Sequence, residues 1–174
     1  DIQAAAMELL GPECSADDEA GQCHGKRGAT TPSGRHLTVV FNTMTRLKFG
    51  GNLNDRPEFH VLIRSLLRRT SSLLYFHHGT KLDMDFRSFI SQAERVHLIG
   101  QDTRWVEWER HSNRQDSRMK LGGIVGTATY SFEDSNLEAL FLPWLLVGEY
   151  VHIGKGATFG LGSIGIQAER HRGH

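Results

Sequence analysis

The hydrophobic patterns along the chain predict an α+β fold with a four-stranded antiparallel sheet and two main helices on one of its faces. Period-two alternation over residues 36–49 predicts a strand, the apolar spacing that follows it predicts a helix, and the second half of the chain repeats both patterns. The order strand, helix, strand, strand, helix, strand is typical of the ferredoxin-like, or RRM-like, βαββαβ arrangement.

The first strand is predicted over residues 36–49 and the first helix after the turn GGNLNDRP. The strand's apolar face holds Leu37, Val39, Phe41, Leu47 and Phe49. Asp55 and Glu58 have the spacing of a capping box, which predicts the start of the helix. The helix would bury Phe59, Leu62, Ile63, Leu66, Leu67, Leu73 and Leu74, and Arg64, Arg68 and Arg69 are expected on its solvated face. A weaker helical pattern covers residues 84–93.

The second half predicts a strand hairpin, a helix and a last strand. The segments 96–110 and 121–132 are the two strands, joined by the polar sequence HSNRQDSRMK. Ser135 and Glu138 form a second capping-box pattern, and Pro143 is expected to kink the helix or to confine its regular part to one side. The last strand is predicted over residues 161–168. Trp105 and Trp108 are expected to pack in the core.

Composition limits the function classes. The chain of 174 residues carries 20 basic and 20 acidic residues, but six of the acidic ones and no Lys or Arg lie in residues 1–20, so the remainder is mildly basic and suits a polyanionic partner. Only two cysteines occur, and neither an apolar run of membrane-spanning length nor a signal segment is present, which predicts a cytoplasmic protein without a membrane partner. The ten histidines show no metal-binding spacing, so no metal or cofactor is expected.

The sequence HIGKGATFGLGSIGIQAE, residues 152–169, contains the most informative motif. Too few residues follow its G-x-G-x-x-G for a dinucleotide-binding fold, which excludes that kind of site. Its lysine is not followed by Ser or Thr, which excludes a phosphate-binding Walker loop. Two interpretations stay open. The glycines either cap a helix and turn into an edge strand, or they form an amide-lined bend that binds anions with help from Lys155.

Two further sets of polar residues have both a structural and a functional interpretation. His152 is either a hydrogen-bonded interior histidine or a base or phosphate donor beside the glycine-rich segment. The polar connection HSNRQDSRMK either grips phosphate and sugar groups or is simply solvated.

Three segments together resemble one known family. FNTMTRLKFGGNLNDRPEFHVLIRSLLRR, HSNRQDSRMKLGGIVGTATY and LLVGEYVHIGKGATFGLGSIGI are similar, in this order, to the C-terminal domain of the CRISPR-associated endoribonucleases that process precursor CRISPR RNA, in the RAMP superfamily. The similarity covers about residues 35–168. It implies a domain over residues 35–170, preceded by a linker or a remnant of another domain over residues 1–34 and followed by a tail over 171–174. A start at Asp1 rather than Met suggests a fragment of a longer protein.

The resemblance implies RNA contacts at two places. Members contact RNA with the glycine-rich loop, here Gly154, Lys155, Gly156, Gly160 and Gly162, beside His152. Members also carry an aromatic-Ser-x-Arg-Gln motif, which here has His111 in the aromatic position and matches at Ser112, Arg114 and Gln115. Arg118 and Lys120 follow that motif and complete the predicted RNA-binding set.

The resemblance also implies an activity and its partners. The leading hypothesis is the RNA-binding half of an enzyme of antiviral defence that cleaves CRISPR repeat RNA without a metal, through attack of the ribose 2′-OH. The catalytic residues of the family lie mainly in a preceding domain and are not assigned here. The alternative is a non-catalytic RNA-binding scaffold in a CRISPR effector complex. Other CRISPR-associated proteins, and a second copy paired through an exposed edge strand, are the further partners considered.

Overall fold

The computed structural model describes residues 35–112 and 117–168, with side chains described for 35–108 and 121–167. Its elements are β1 Arg35–Thr45, β2 Leu47–Phe49, β3 Asn52–Asn54, α1 Phe59–His78, α2 Phe86–Ala93, β4 His97–Ser112, β5 Ser117–Phe132, α3 Ser135–Val151 and β6 Ile164–Ala168. A single turn of 3-10 helix, Ala157–Phe159, lies between α3 and β6. The predicted linker over residues 1–34 and the tail over 171–174 fall outside the described residues, so that division stays a prediction.

Four strands form one sheet in the order β4-β5-β1-β6, and every neighbouring pair is antiparallel. The first and last strands of the domain therefore lie side by side, as the ferredoxin-like arrangement requires. The predicted α+β fold class is confirmed, with α2 as the extra helix.

The hydrophobic core lies between one face of the sheet and the helices. In β1 the alternation places Leu37, Val39 and Phe41 in the core and leaves His36 and Asn42 exposed. Phe59, the first residue of α1, lies at the centre. Its ring makes edge-to-face contacts with the rings of Tyr130, Phe132 and Phe141 at centroid distances of 5.1 to 5.5 Å, so one aromatic cluster joins α1, β5 and α3.

The prediction of a single strand over residues 36–49 is wrong, because β1 ends at Thr45. The residues after it pair with β3 in a separate two-stranded hairpin, in which Phe49 lies opposite Asn52. Gly50 and Gly51, with φ of 58° and 91°, supply the left-handed backbone that such a tight turn needs. Phe49 is consequently 45% exposed rather than part of the core.

The predicted capping of both main helices needs correction. Glu58 is the N-cap of α1 and makes no side-chain cap. Its Oε1 instead lies 2.7 Å from Nε of Arg56. In α3 the cap is Asp134, one residue before the predicted one, and its carboxylate accepts a hydrogen bond from the Leu137 amide at 2.8 Å.

The helix α3 continues on both sides of Pro143, so the prediction that the proline confines the helix is wrong. A proline removes only one intrahelical hydrogen bond, and buried Phe141, Trp144 and Leu145 hold the surrounding turns against the core. The last strand begins at Ile164, three residues later than predicted, because residues 161–163 still belong to the preceding loop. No helix in the described ranges is both long enough and apolar enough to span a membrane.

Replacing Tyr130 by phenylalanine is expected to lower the free energy of unfolding by about 1–3 kcal/mol. The buried phenol donates a hydrogen bond of 2.6 Å to the Pro57 carbonyl, which would lose its partner. Burial, with a smaller contribution from the charge of Glu58, raises the pKa of Tyr130 well above its ordinary value. This raised pKa implies that the phenol's contribution to stability is complete below about pH 10, its unfolded value, and declines above it.

Urea unfolding of both proteins at neutral pH measures the effect. The matched control is Tyr150→Phe, since the Tyr150 side chain is 85% exposed and should change the free energy of unfolding by less than about 0.5 kcal/mol. Equal effects of the two substitutions would show that the Pro57 hydrogen bond adds nothing.

Candidate nucleic-acid interface

One outward face of α1 carries a row of cations. Arg64 and Arg68 lie one helical turn apart and are exposed, and half-buried Arg69 borders the same row. The helix buries Leu62, Ile63 and Leu66 on its opposite side. The amphipathic pattern that fixes the core face of α1 therefore also fixes where its guanidinium groups stand.

A groove of about 420 Å³ runs between this row and the glycine-rich loop. Its lining consists of Arg46, Lys48, Arg64, Ser65, Arg68, Arg69, Ser72, Gly154, Lys155, Gly156, Ala157 and Thr158. Six of these residues are Lys or Arg and none is Asp or Glu. We call this the basic groove.

Most cations of the basic groove remain available to a ligand. Arg46 donates through Nε to the Gly122 carbonyl at 3.0 Å, and Arg69 donates through Nε to the Val151 carbonyl at 3.1 Å, so their other guanidinium nitrogens stay unused by these bonds. Arg64 makes one long ion pair, 3.8 Å from Glu94, and its Cζ lies 5.7 Å from the centre of the Phe49 ring. Within the described residues, Lys48, Arg68 and Lys155 have no carboxylate partner. An unneutralised cluster of this kind attracts polyanions.

Two glycines of the loop are required by the fold. A Cβ on Gly162 would lie 1.8 Å from the Ile153 carbonyl oxygen, and one on Gly154 would lie 2.7 Å from the Arg46 carbonyl oxygen. Both residues also have φ near 80°. Close backbone approach and the left-handed conformation together exclude any other residue type without distortion.

The other two predicted loop glycines have different surroundings. A Cβ on Gly160 would meet no atom within 4 Å, and one on Gly156 would lie 2.9 Å from Cδ1 of the Leu161 side chain. Their positive φ, 88° at Gly156 and 77° at Gly160, is what calls for glycine. The four loop glycines therefore divide into two that the protein's own backbone requires and two that only the turn requires.

The expectation that the whole loop presents its amides to a ligand is wrong for four residues. The amides of Lys155 and Gly162 donate to the carbonyls of Arg46 and Met44, and those of Phe159 and Gly160 donate to carbonyls within the loop. In the described part of the chain, Gly156, Ala157 and Thr158 have amides with no such acceptor, and all three residues line the basic groove. The structural interpretation thus holds for part of the loop, and anion binding at the remaining amides stays a prediction.

His152 lies at the C-terminal end of α3. It is half-buried, and its Nδ1 lies 3.1 Å from the Leu161 carbonyl oxygen. Its φ of 61° and ψ of 159° belong to a region that only glycine adopts readily. The contact supports the interpretation as a hydrogen-bonded histidine that holds the start of the loop, and His152 is not among the residues that line the basic groove.

The predicted RNA-binding residues of the hairpin are placed only in part. Ser112, the last residue of β4, is paired with Ser117. In β5, Arg118 lies opposite His111 of β4 and Lys120 lies opposite Glu109 of β4. Arg114 and Gln115 lie outside the described residues. The role of this set stays a prediction.

The expectation that Trp105 and Trp108 pack in the core is wrong, because their side chains are 40% and 56% exposed. Trp105 lies opposite Ile124, at the end of the pairing of β5 with β1, and Trp108 lies opposite Leu121, beyond that pairing. The Trp105 ring covers Gly122, where a Cβ would come within 2.7 Å of the indole nitrogen. Over the ranges that the structure describes, no group of three or more His, Cys, Asp or Glu residues has a metal-binding arrangement.

The sequence model of the CRISPR-associated endoribonuclease Cas6 family matches residues 39–164, which is more than half of the chain and includes the whole basic groove. The chain belongs to the Cas6 family. No curated protein gives a significant match.

Solved Cas6 structures share the fold. A Cas6 product complex is 22% identical over 80% of this chain and 54% of its own, with a TM-score of 0.55. Thermus thermophilus Cas6 is 17% identical over 76% of this chain and 53% of its own, with a TM-score of 0.58. A partial Cas6-RT-Cas1–Cas2 complex is 17% identical over 83% of this chain and 24% of its own, with a TM-score of 0.57. The chain thus spans about half the length of the first two structures.

Sequence reasoning missed most of the basic groove in this Cas6 domain. Arg64, Arg68 and Arg69 were expected to be a solvated face, and Arg46 and Lys48 were assigned to the first strand without a role. The i, i+4 spacing of two arginines on a helix was visible. Their proximity to the glycine-rich loop was not, since about 90 residues separate the two segments.

Proposed function

We propose that this domain binds CRISPR repeat RNA along the basic groove, as part of a Cas6 endoribonuclease. The single observation that carries the proposal is the lining of that groove: six Lys or Arg residues and no carboxylate, drawn from α1, the β1–β2 junction and the glycine-rich loop. Membership in the Cas6 family and the product complex among its structural neighbours support RNA as the polyanion.

The groove suits the sugar-phosphate backbone rather than the bases. Arginine guanidinium groups bind phosphate oxygens in a bidentate manner. Lys155 adds an ammonium group on a flexible side chain, which can reach phosphates in more than one position. Ser65 and Ser72 offer hydroxyls to phosphate or to a ribose 2′-OH. Recognition of a particular repeat would then depend on its shape and on contacts beyond the groove.

In the longer protein we propose cleavage through attack of a ribose 2′-OH on the adjacent phosphate, without a metal. Such a reaction needs a base to take the 2′-OH proton, an acid to protonate the leaving 5′ oxygen, and positive charge around the phosphorane. The cations of the groove supply charge, but an arginine cannot accept a proton from a hydroxyl at neutral pH. Since lysine is likewise protonated at neutral pH, the base is assigned to a residue outside the groove.

The protein's location, biological role and further partners belong to the same proposal. We place the protein in the cytoplasm, in antiviral defence, and in contact with other CRISPR-associated proteins, which the Cas6-RT-Cas1–Cas2 neighbour supports. Gly154, Lys155, Gly156, Gly160, Gly162 and His152 would act at the groove or support it, and Ser112, Arg114, Gln115, Arg118 and Lys120 would extend the contact along the hairpin. Pairing of two copies through an edge strand is retained as an alternative assembly.

Labelled repeat RNA tests the proposal in two steps. The 174-residue chain should bind it with an affinity that falls steeply as salt rises, since phosphate contacts release counterions. A longer protein that also carries the preceding domain should cut the same RNA in EDTA and leave a 5′-OH end. Fluorescence anisotropy measures binding, and denaturing gels measure cleavage.

Each step has an outcome that contradicts it. Absence of binding at low salt, or binding of DNA and RNA of the same sequence with equal affinity and no salt dependence, removes the proposed role of the groove. Cleavage that stops in EDTA and returns with Mg²⁺ removes metal independence. Binding without cleavage by the longer protein favours the scaffold alternative.

A further inference from the structure

We propose that a second groove, between α1 and α2, binds a single-stranded extension of the RNA held in the basic groove; this inference rests on the proposed function. The second groove has a volume of about 600 Å³ and is lined by Arg64, Leu67, Arg68, Ser71, Phe86, Arg87, Ile90, Ser91 and Glu94. Such a volume lies within the range of about 300–1,000 Å³ in which proteins bind ligands of nucleotide size.

The two grooves meet along one ridge of α1. Arg64 and Arg68 line both of them, so a chain of phosphates that passes these two exposed guanidinium groups enters the second groove directly. At this crossing a Glu94 carboxylate oxygen lies 3.8 Å from the Arg64 guanidinium, and Phe49 packs beside the same guanidinium. A shared pair of arginines thus gives the RNA a continuous path across α1.

The exposed chemistry of the second groove fits a nucleotide. Its lining contains three arginines, Arg64, Arg68 and Arg87, and a single carboxylate residue, Glu94. Phe86 is the first residue of α2, and its side chain is 41% exposed. An aromatic ring beside arginines is the arrangement on which bases of single-stranded RNA stack while their phosphates are neutralised.

A protein helix is a poorer occupant of this groove. Its aliphatic lining residues, Leu67 and Ile90, are already 97% and 93% covered by the domain itself, and Phe86 is the one large exposed apolar group in the lining. Amphipathic helices dock through a row of three or four apolar anchors. The lining instead offers cations around one ring.

The second groove is built to keep this ring in place. The Asp85 carboxylate accepts hydrogen bonds from the amides of Arg87 and Ser88 at 3.1 and 3.2 Å, which fixes the first turn of α2. Phe89 and Ile90, one turn further along the helix, are buried, and the Phe89 ring contacts Trp144 of α3. Phe86 and Arg87 are therefore exposed residues at the start of an anchored helix, outside the buried core.

The test compares repeat hairpin RNA alone with the same hairpin carrying about ten extra nucleotides at its 5′ or its 3′ end. We expect one of the extensions to tighten binding to the natural chain by about tenfold, the contribution of one stacked base with its phosphate. The double variant Phe86→Ala, Arg87→Glu should lose this gain and bind the plain hairpin as the natural chain does. Lys81→Glu, a charge reversal at an exposed lysine that lines neither groove, should keep the gain.

The outcomes separate the two proposals. If the natural chain binds no RNA, the proposed function fails. If it binds all three RNAs equally, or if the double variant keeps the gain, the second groove does not hold RNA. If binding of the plain hairpin falls as much as binding of the extended one, the groove is not a separate site and the inference is wrong. Arg87→Glu alone, which leaves Phe86 in place, repeats the test should the double variant unfold early.

Discussion

Reversing two charges of the basic groove, Arg68→Glu together with Lys155→Glu, is expected to lower the affinity for repeat RNA by about 100-fold or more at about 100 mM salt. The two side chains stand on opposite walls of the groove, one on α1 and one on the glycine-rich loop, and both lack a carboxylate partner within the described residues. Each substitution removes a phosphate contact and adds a repulsion. The slope of log K against log salt should therefore become shallower by about 1.4–1.8.

Fluorescence anisotropy over a salt series measures both quantities. The matched control is Lys81→Glu with Arg104→Glu, which makes the same change in net charge at two exposed residues that do not line the groove. We expect this control to weaken binding by less than about fivefold, through the general field alone. An equal loss in both variants would mean that RNA responds to net charge and not to the groove.

Replacing Gly162 by alanine is expected to lower the free energy of unfolding by about 3 kcal/mol or more. The new Cβ would lie 1.8 Å from the Ile153 carbonyl oxygen, at a φ of 76°. Residues 153 and 162 cannot move apart to make room for this Cβ without losing hydrogen bonds. The Ile153 amide donates to the Gly162 carbonyl at 2.8 Å, and the Gly162 amide donates to the Met44 carbonyl at 3.1 Å. The substitution would thus disrupt the hydrogen bonds that connect the loop to β1 and to the residues that follow α3.

The control for this prediction is Gly160→Ala in the same loop. Its φ is 77°, nearly identical, but a Cβ there meets no atom within 4 Å, so only backbone strain of about 1 kcal/mol is expected. Thermal and urea unfolding give the stabilities, and RNA affinity is measured on each folded variant. Similar destabilisation at both positions would show that the left-handed conformation, rather than the close approach, makes Gly162 necessary.

The sequence predicted those parts of the fold that depend on local periodicity. Alternation placed Leu37, Val39 and Phe41 on the core face, and helical spacing placed Leu62, Ile63 and Leu66 on the buried side of α1. It failed where one residue changes the path of the chain. The alternation that continues past Thr45 to Phe49 does not reveal that β1 ends and that a glycine pair turns the chain back.

The sequence also located one half of the candidate site. The density of glycines around Lys155 indicated a loop, because glycines permit positive φ and the close approach of the backbone to another surface. It did not reveal that the protein itself uses the amides of Lys155 and Gly162, since their acceptors, the Arg46 and Met44 carbonyls, lie more than 100 residues away.

By itself the sequence determined the order of the main strands and helices, the core faces of β1 and α1, and the presence of a loop that permits close backbone approach, because each depends on residues near one another in the chain. Only the tertiary structure decided that the arginines of α1 face that loop, that Arg46 and Lys48 complete the lining, and that α2 encloses a second groove on the other side of the same arginines. A charge cluster is a property of distances in space. Those distances are set when the sheet aligns β1 with β6 and brings the end of α3 beside α1.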